Sequence, residues 1–290
     1  MSGLALGAPK SRIGTPIESP AEGGIHFRRE GYVIGPPVIP ADLLRRAAEG
    51  MDEVMAGRYE TGVKPLDGWW KPTDDPARHL RKIDQSHLAN RAIAELITHP
   101  ALGQWIAAAI GAKFLQVWCV QLLHKPGAGC FAGRAANVGW HQDYHYWQNW
   151  YTPDSEILTC WLAVSDVPET CGPMHFVARS HTWGLLEGSD FFGTGDAEQR
   201  SGMGVPPDAD WVEYSAVMPA GAFSLHHRLT LHGSGANVSR QARRSVAIHL
   251  RTDCSTATPG RGMNPTDPEY YDYVSHLNDP AVCPVIYCEA

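Results

Sequence analysis

No Cys-x-x-Cys pair occurs among the seven cysteines, which are scattered and odd in number. That excludes the usual structural zinc spacings and argues against a secreted disulfide framework. Reduced thiols are the plain expectation, with Cys119 and Cys160 as small core residues. Basic charge is also short: 24 Lys and Arg stand against 31 Asp and Glu, for a formal charge of −7. Such a balance gives no support to nucleic-acid or anionic-membrane partners. No apolar run approaches the roughly 18 residues that a spanning helix needs. The first residues lack the charged start and apolar segment of a secretory signal. The end, Tyr287-Cys288-Glu289-Ala290, is not a peroxisomal address. A cytoplasmic location is therefore expected. There is no internal repeat.

The 290 residues, 43% hydrophobic and 19% charged, have the composition of a folded chain. Residues 1–24, rich in Gly, Pro and Ser without periodicity, read as a flexible N-terminal tail. Residues 25–290 read as a single domain. Helical spacing starts at Pro40-Ala41-Asp42 and carries Leu43, Leu44, Ala47, Met51, Val54 and Met55. Further helices are expected at 92–97 and 102–110, with Gly111 as a stop. From Phe114 the pattern turns β-branched and aromatic. Strands are expected at 114–123, 157–164, 212–218, 222–225 and 245–250. The 29 glycines and 22 prolines supply turns for many short strands. The fold class is mainly β, with a helical layer ahead of it.

His141-Gln142-Asp143 with the distant His232 is the chemical signal. Two histidines and one carboxylate form the facial triad that holds non-haem Fe(II) and leaves positions open. On an extended chain, residues i and i+2 point to the same side, so His141 and Asp143 can grip one ion. The second histidine must come from another strand. A His-x-Asp pair alone is common; its setting is not. It lies in Val138-Gly139-Trp140-His141-Gln142-Asp143-Tyr144, and His232-Gly233-Ser234-Gly235 is followed by Arg243. Leu122-Leu123-His124-Lys125-Pro126-Gly127 precedes the pair, and Trp161-Leu162-Ala163-Val164 follows it.

From Gly31 to Leu250 this pattern resembles the phytanoyl-CoA dioxygenase family of Fe(II)- and 2-oxoglutarate-dependent oxygenases. The resemblance implies a double-stranded β-helix, a jelly-roll, cupin-like core. It also implies Fe(II), 2-oxoglutarate and O2 as cofactor and cosubstrates, and a small organic molecule as substrate. His141, Asp143 and His232 would be the metal ligands. Arg243 would bind the far carboxylate, with Ser234 as a hydroxyl donor beside it and Trp161 lining the pocket. A guanidinium suits that role because it binds carboxylates bidentately. Arg244 is its rival, since a one-residue shift on a strand reverses the inward face. A carboxylate at position 143, where halogenating relatives have a small residue, points to hydroxylation or a related oxidation.

Other residues carry plainer readings. His145, His226 and His227 are expected to be structural or substrate-facing. Lys125 either reaches a carboxylate or sits solvated at an edge. Arg179, in Ala178-Arg179-Ser180-His181, replaces a glycine usual in the family. The rings of Tyr144, Tyr146, Trp147, Trp150 and Tyr151 pack the core or wall the substrate. The long, irregular segment 57–88, which contains Trp69, Trp70 and Lys71, and segment 184–210 are expected to flank the entrance. Three alternatives stay open: a non-catalytic binder on this scaffold, a metalloenzyme that uses no 2-oxoglutarate, and a zinc hydrolase with the same ligand types.

Overall fold

A computed structural model describes residues 10–66, 80–128, 137–193, 197–260 and 271–289. Its strands are β1 (Lys10–Ile13), β2 (Tyr32–Gly35), β3 (Arg81–Asp84), β4 (Phe114–Lys125), β5 (Val138–His141), β6 (Ile157–Ala163), β7 (Met174–Val177), β8 (Val212–Ser215), β9 (Phe223–His227), β10 (His232–Ser234), β11 (Arg243–Thr252) and β12 (Val285–Cys288). The helices are α1 (Pro20–Glu30), α2 (Ala41–Met55), α3 (Arg91–Ile97), α4 (Pro100–Ile110) and the short α5 (Tyr144–Trp147) and α6 (Ala197–Ser201). Strands β12-β4-β11-β6-β9-β2 form the larger sheet, with β3 paired to β4 beside β12. The smaller sheet runs β1-β8-β7-β10-β5. Two sheets of this kind, not closed into a barrel, make the expected double-stranded β-helix.

The long strands explain the architecture. β4, β6 and β11 alternate so that Leu122, Cys160, Leu162, Val246 and Ile248 face the helices, where they pack with Leu43, Met51, Ile93 and Ile106. Each fully buried aliphatic side chain there contributes about 1.5–3 kcal/mol. The alternate positions face the small sheet: Trp161, Ala163 and Ala247 pack with Met174 and Phe176. The helix boundaries follow local chemistry. Asn90 caps α3 by accepting from the amides of Ala92 and Ile93, and Gly111 closes α4 at φ 78°.

Two expectations are corrected. The tail does not extend to residue 24: β1 pairs in parallel with β8 from Lys10↔Val212, and α1 begins at Pro20. Ser19 followed by Pro20 is a helix-start signal that the Gly/Pro/Ser composition masks. Segment 57–88 is not wholly irregular, because β3 adds to β4 and a 3-10 turn covers Ser86–Leu88. Arg179 does take the glycine-like conformation, at φ 63°, while keeping its own side chain.

Candidate metal centre

The smaller sheet brings the two histidines together. β10 pairs antiparallel with β5 so that His232 stands opposite His141. Gly233 favours this close approach, since a Cβ there would meet the Val138 and Gly139 carbonyls at 3.0 and 3.1 Å. Asp143 arrives by a route that the spacing argument did not foresee. β5 ends at His141, and Asp143 is in helical conformation (φ −57°, ψ −37°) at the start of α5. A turn, rather than strand alternation, swings its carboxylate beside the imidazoles. Ligand atoms of His141, Asp143 and His232 all lie within 4.8 Å of one another, and all three residues are buried.

Hydrogen bonds fix which atoms point inward. His141 Nδ1 lies 2.8 Å from the Gly139 carbonyl, and His232 Nδ1 lies 2.9 Å from that of Thr230. A carbonyl only accepts, so each Nδ1 carries the proton and each Nε2 presents a lone pair. These Nε2 atoms are 3.9 and 3.6 Å from Asp143 Oδ1. Burial lowers the pKa of both rings, further for His232 because the His141 and His226 rings add to it. Burial opposes charge on Asp143 as well, yet His232 and His226 hold its carboxyl well below the usual range. Two neutral imidazoles and one carboxylate are the protonation states that a divalent metal requires.

The outer oxygen of Asp143 is held separately. Thr159 Oγ1 donates to Oδ2 at 2.7 Å, and His226 Nε2 donates to it at 3.0 Å. With its one proton committed, Thr159 accepts from His249 Nδ1 at 3.0 Å. His249 is enclosed by Trp118 and Trp147, with ring centroids 5.4 and 4.8 Å away, and burial pushes its pKa down to about 4. Gln142, fully buried, donates to the carbonyls of Gly184 and Leu229 at 2.8 and 2.7 Å and accepts from the Leu186 amide at 2.7 Å. It ties the segment after residue 183 to the metal strand. Phe191 in that segment stacks edge-on against His141 at 5.2 Å.

A second polar group lies along the same face. Arg243 is 1% exposed, and its guanidinium carbon sits 5.1 Å over the Trp161 ring. Arg243 Nη1 donates to the Gly172 carbonyl. Arg244 points the other way and pairs with Asp52 at 2.9 Å, so of the two it is Arg243 that the strand register turns inward. Lys125, opposite Arg243 in the β4–β11 pairing, is fully buried. Its Nζ donates to Ser234 Oγ at 2.7 Å and to the Gly235 carbonyl at 2.6 Å, so it is not a solvated edge residue. Arg243 Nε and Trp161 Nε1 are buried without a partner. Buried donors and cations left in this state suit a carboxylate ligand.

Of the remaining expectations, Trp69, Trp70 and Lys71 lie outside the described residues. Tyr144, Trp147 and Tyr151 are buried with Trp118 in an aromatic cluster, whereas Tyr146 is half exposed and its hydroxyl accepts from the Phe191 amide at 2.9 Å. Thr159, His249 and Gln142 escaped sequence reading. The alternation of β6, which sets Thr159 and Trp161 on one face, was the signal that would have found Thr159.

A buried facial centre of two histidines and one carboxylate inside a double-stranded β-helix defines a class, the mononuclear non-haem metal proteins. The chain belongs to the phytanoyl-CoA dioxygenase (PhyH) family, whose model matches residues 27–245. It is 27% identical to phytanoyl-CoA dioxygenase domain-containing protein 1 of Bos taurus over 66% of this chain and 64% of that protein. It is 26% identical to a probable alpha-ketoglutarate-dependent hypophosphite dioxygenase of Stutzerimonas stutzeri over 61% of this chain and 59% of that protein. The matches thus span about six-tenths of these curated relatives. Among solved structures, the non-heme alpha ketoglutarate dependent epimerase SnoN from nogalamycin biosynthesis superimposes with a TM-score of 0.63 at 21% identity, covering 84% of this chain and 87% of that one. At that identity the likeness is one of fold. No helix of the described residues is long and apolar enough to cross a membrane.

Proposed function

We propose that this protein is an Fe(II)- and 2-oxoglutarate-dependent oxygenase that hydroxylates, or otherwise oxidises, an unactivated carbon of a small organic molecule. The observation that carries the reading is the convergence of two Nε2 lone pairs and Asp143 Oδ1 on one buried point, with every other polar atom of the three ligands held elsewhere. Family membership supports it, as do relatives named as alpha-ketoglutarate-dependent enzymes. Iron and 2-oxoglutarate supply the chemistry when bound: O2-dependent decarboxylation of the keto acid to succinate and CO2, coupled to oxidation of the substrate.

The chain's own residues bind, orient and exclude water. His141, Asp143 and His232 would hold the metal from one side. Arg243, Ser234 and Trp161 would receive the far carboxylate of 2-oxoglutarate. On β10, His232 and Ser234 are two residues apart, roughly 6–7 Å, a span that a five-carbon dicarboxylate bridges. Ser245, Ala247 and Ala163 are the small residues on that sheet face, with Ser245 opposite Ala163 and Ala247 opposite Trp161. The segment carrying Phe191 would wall the substrate side. A secondary metabolite is one candidate substrate class, since an epimerase of the same fold comes from nogalamycin biosynthesis. The six cysteines among the described residues are free, which fits a reducing compartment such as the cytoplasm.

The test is succinate formation from 2-oxoglutarate under air, with Fe(II) or Zn(II) loaded into the apo-protein and a panel of small molecules as substrates. Iron-dependent succinate stimulated by one compound, whose product gains an oxygen atom, is expected. Turnover supported equally by zinc would contradict the proposal.

A further inference from the structure

His249 has one nitrogen that neither the metal nor the cosubstrate reading uses. The residue lies on the inward face of β11, where Arg243, Ser245, Ala247 and His249 alternate with Val246 and Ile248, which face the helices. Arg243 stands at one end of that face and His249 at the other. In the sheet pairing His249 is level with Thr159 on β6, and Thr159 with His226 on β9, the two residues that hold Asp143. The ring is therefore at the height of the metal ligands, with Ser245 and Ala247 between it and the end assigned to the cosubstrate carboxylate. Its tautomer is fixed by the chain. The single Thr159 proton goes to Asp143 Oδ2, so His249 Nδ1 donates to Thr159 Oγ1 and Nε2 keeps a lone pair. Burial outweighs the Asp143 and Asp84 carboxylates and keeps the ring neutral, its pKa pushed down to about 4. Trp118 and Trp147 pack against the ring and fix the direction of Nε2. His249 retains 4% exposure, and Nε2 has no hydrogen-bond partner among the described residues. His226 Nδ1 is sealed in without a partner; His249 Nε2 is not. An oriented acceptor at the edge of a cavity is matched by a donor on the molecule that fills it.

We propose that His249 anchors the substrate: its Nε2 accepts a hydrogen bond from a hydroxyl or N–H group that the substrate carries. This rests on the oxygenase reading above and narrows the substrate to molecules with such a donor. With the substrate in place, one unbroken series of donors runs from its hydroxyl or N–H through His249 Nδ1 and Thr159 Oγ1 to Asp143 Oδ2. Each bond in such a series strengthens the next, so the anchor also reinforces the hold on the carboxylate. The two indoles enclose the imidazole on its flanks, so the contact is made at the ring edge and excludes water from it. A single hydrogen bond between neutral groups of this kind corresponds to roughly a 3- to 10-fold difference in affinity.

The experiment compares phenol, a ring with one hydroxyl donor, and anisole, the same ring without it, as probes of the Co(II)-loaded protein. Affinities are read from the broadening of the probes' ring-proton NMR signals by the metal, with the Zn(II)-loaded protein as the diamagnetic reference. Wild type should bind phenol roughly 3- to 10-fold more tightly than anisole. His249→Phe should lose that preference with anisole affinity unchanged. His249→Gln, which keeps an acceptor at similar reach, should retain most of it. If His249→Phe does not fold, His249→Met decides. Equal binding of the two probes to wild type would overturn the proposal. So would a preference that persists in His249→Phe, because the phenol oxygen would then sit on the metal itself. The comparison needs no 2-oxoglutarate, so a failure of the oxygenase reading, seen as the absence of any iron-to-keto-acid absorption, is read separately.

Discussion

His226 Nε2 lies 3.0 Å from Asp143 Oδ2, on the carboxylate oxygen that faces away from His141 and His232. With Thr159 on the same oxygen, two donors occupy Oδ2 and leave Oδ1 for the metal. A carboxylate held this way binds through one oxygen, which keeps coordination positions open for other ligands. His226 is thus a positioning residue although it touches no ligand position.

That arrangement predicts a metal-site phenotype for residues outside the triad. His226→Phe and Thr159→Val should each weaken metal affinity on the order of 10- to 100-fold. Each should also shift the absorption of the Co(II)-substituted protein, because the carboxylate could then bind through both oxygens. Competition with a coloured chelator measures the first effect. Unchanged affinity and spectrum in both variants would show that Asp143 is oriented by its backbone alone.

Gln142 makes a stability prediction. Gln142→Ala would leave two carbonyls and the Leu186 amide buried without partners. The expected loss is about 2–4 kcal/mol in urea unfolding, with metal affinity also reduced because the strand carrying His141 loses its tie to residues 184–186. Gln142→Glu should fare little better, since a carboxylate cannot donate to either carbonyl.

Arg179 sits at φ 63° and pairs with Glu30 at 3.4 Å through an exposed side chain. An exposed pair contributes little. A side chain in the left-handed region costs roughly 1–2 kcal/mol, part of which the added freedom of glycine in the unfolded chain cancels. Arg179→Gly should therefore raise stability by about 0.5–1 kcal/mol, visible as a higher melting temperature. A fall would mean that the Glu30 contact outweighs the backbone strain.

Buried neutral histidines set the acid response. Burial pushes His87, His124, His175 and His249 down to about 4, and His227 to about 3, from 6.5. The unfolded chain takes up protons at these sites as pH falls through 6.5, and the native chain does not until near 4. Their contribution to stability is therefore present above 6.5 and lost as pH falls. The metal-free protein should melt at progressively lower temperature from pH 7 to pH 5. A constant melting temperature over that range would contradict the buried, neutral state of these rings.

The elements legible in the sequence are those with strong periodicity. α2 declares itself through Leu43, Leu44, Ala47, Met51 and Val54, and β6 through strict alternation. The grouping of His141, Asp143 and His232 was legible because ligand chemistry restricts residue type and because the second histidine had to come from another strand. What was hidden depends on tertiary pairing. β1 and β3 are short edge strands whose partners lie far along the chain, so Lys10–Ile13 and Arg81–Asp84 carry no distinctive pattern. The inward choice of Arg243 over Arg244 needed the β4–β11 register. Lys125 illustrates the same limit: nothing local separates a solvated lysine from one buried opposite an arginine. Asp143 illustrates a different one, because a correct grouping of residues was reached from an extended-chain geometry that the chain does not adopt.

The most direct measurement of the central claim is the anaerobic visible spectrum of the protein with Fe(II) and 2-oxoglutarate, recorded for wild type, Asp143→Ala, Arg243→Met and Arg244→Ala. An iron-to-keto-acid absorption band in wild type and Arg244→Ala, absent in Asp143→Ala and requiring far more 2-oxoglutarate in Arg243→Met, is the predicted result. A wild-type protein that binds iron yet develops no band would contradict the assignment of this site to 2-oxoglutarate-dependent chemistry.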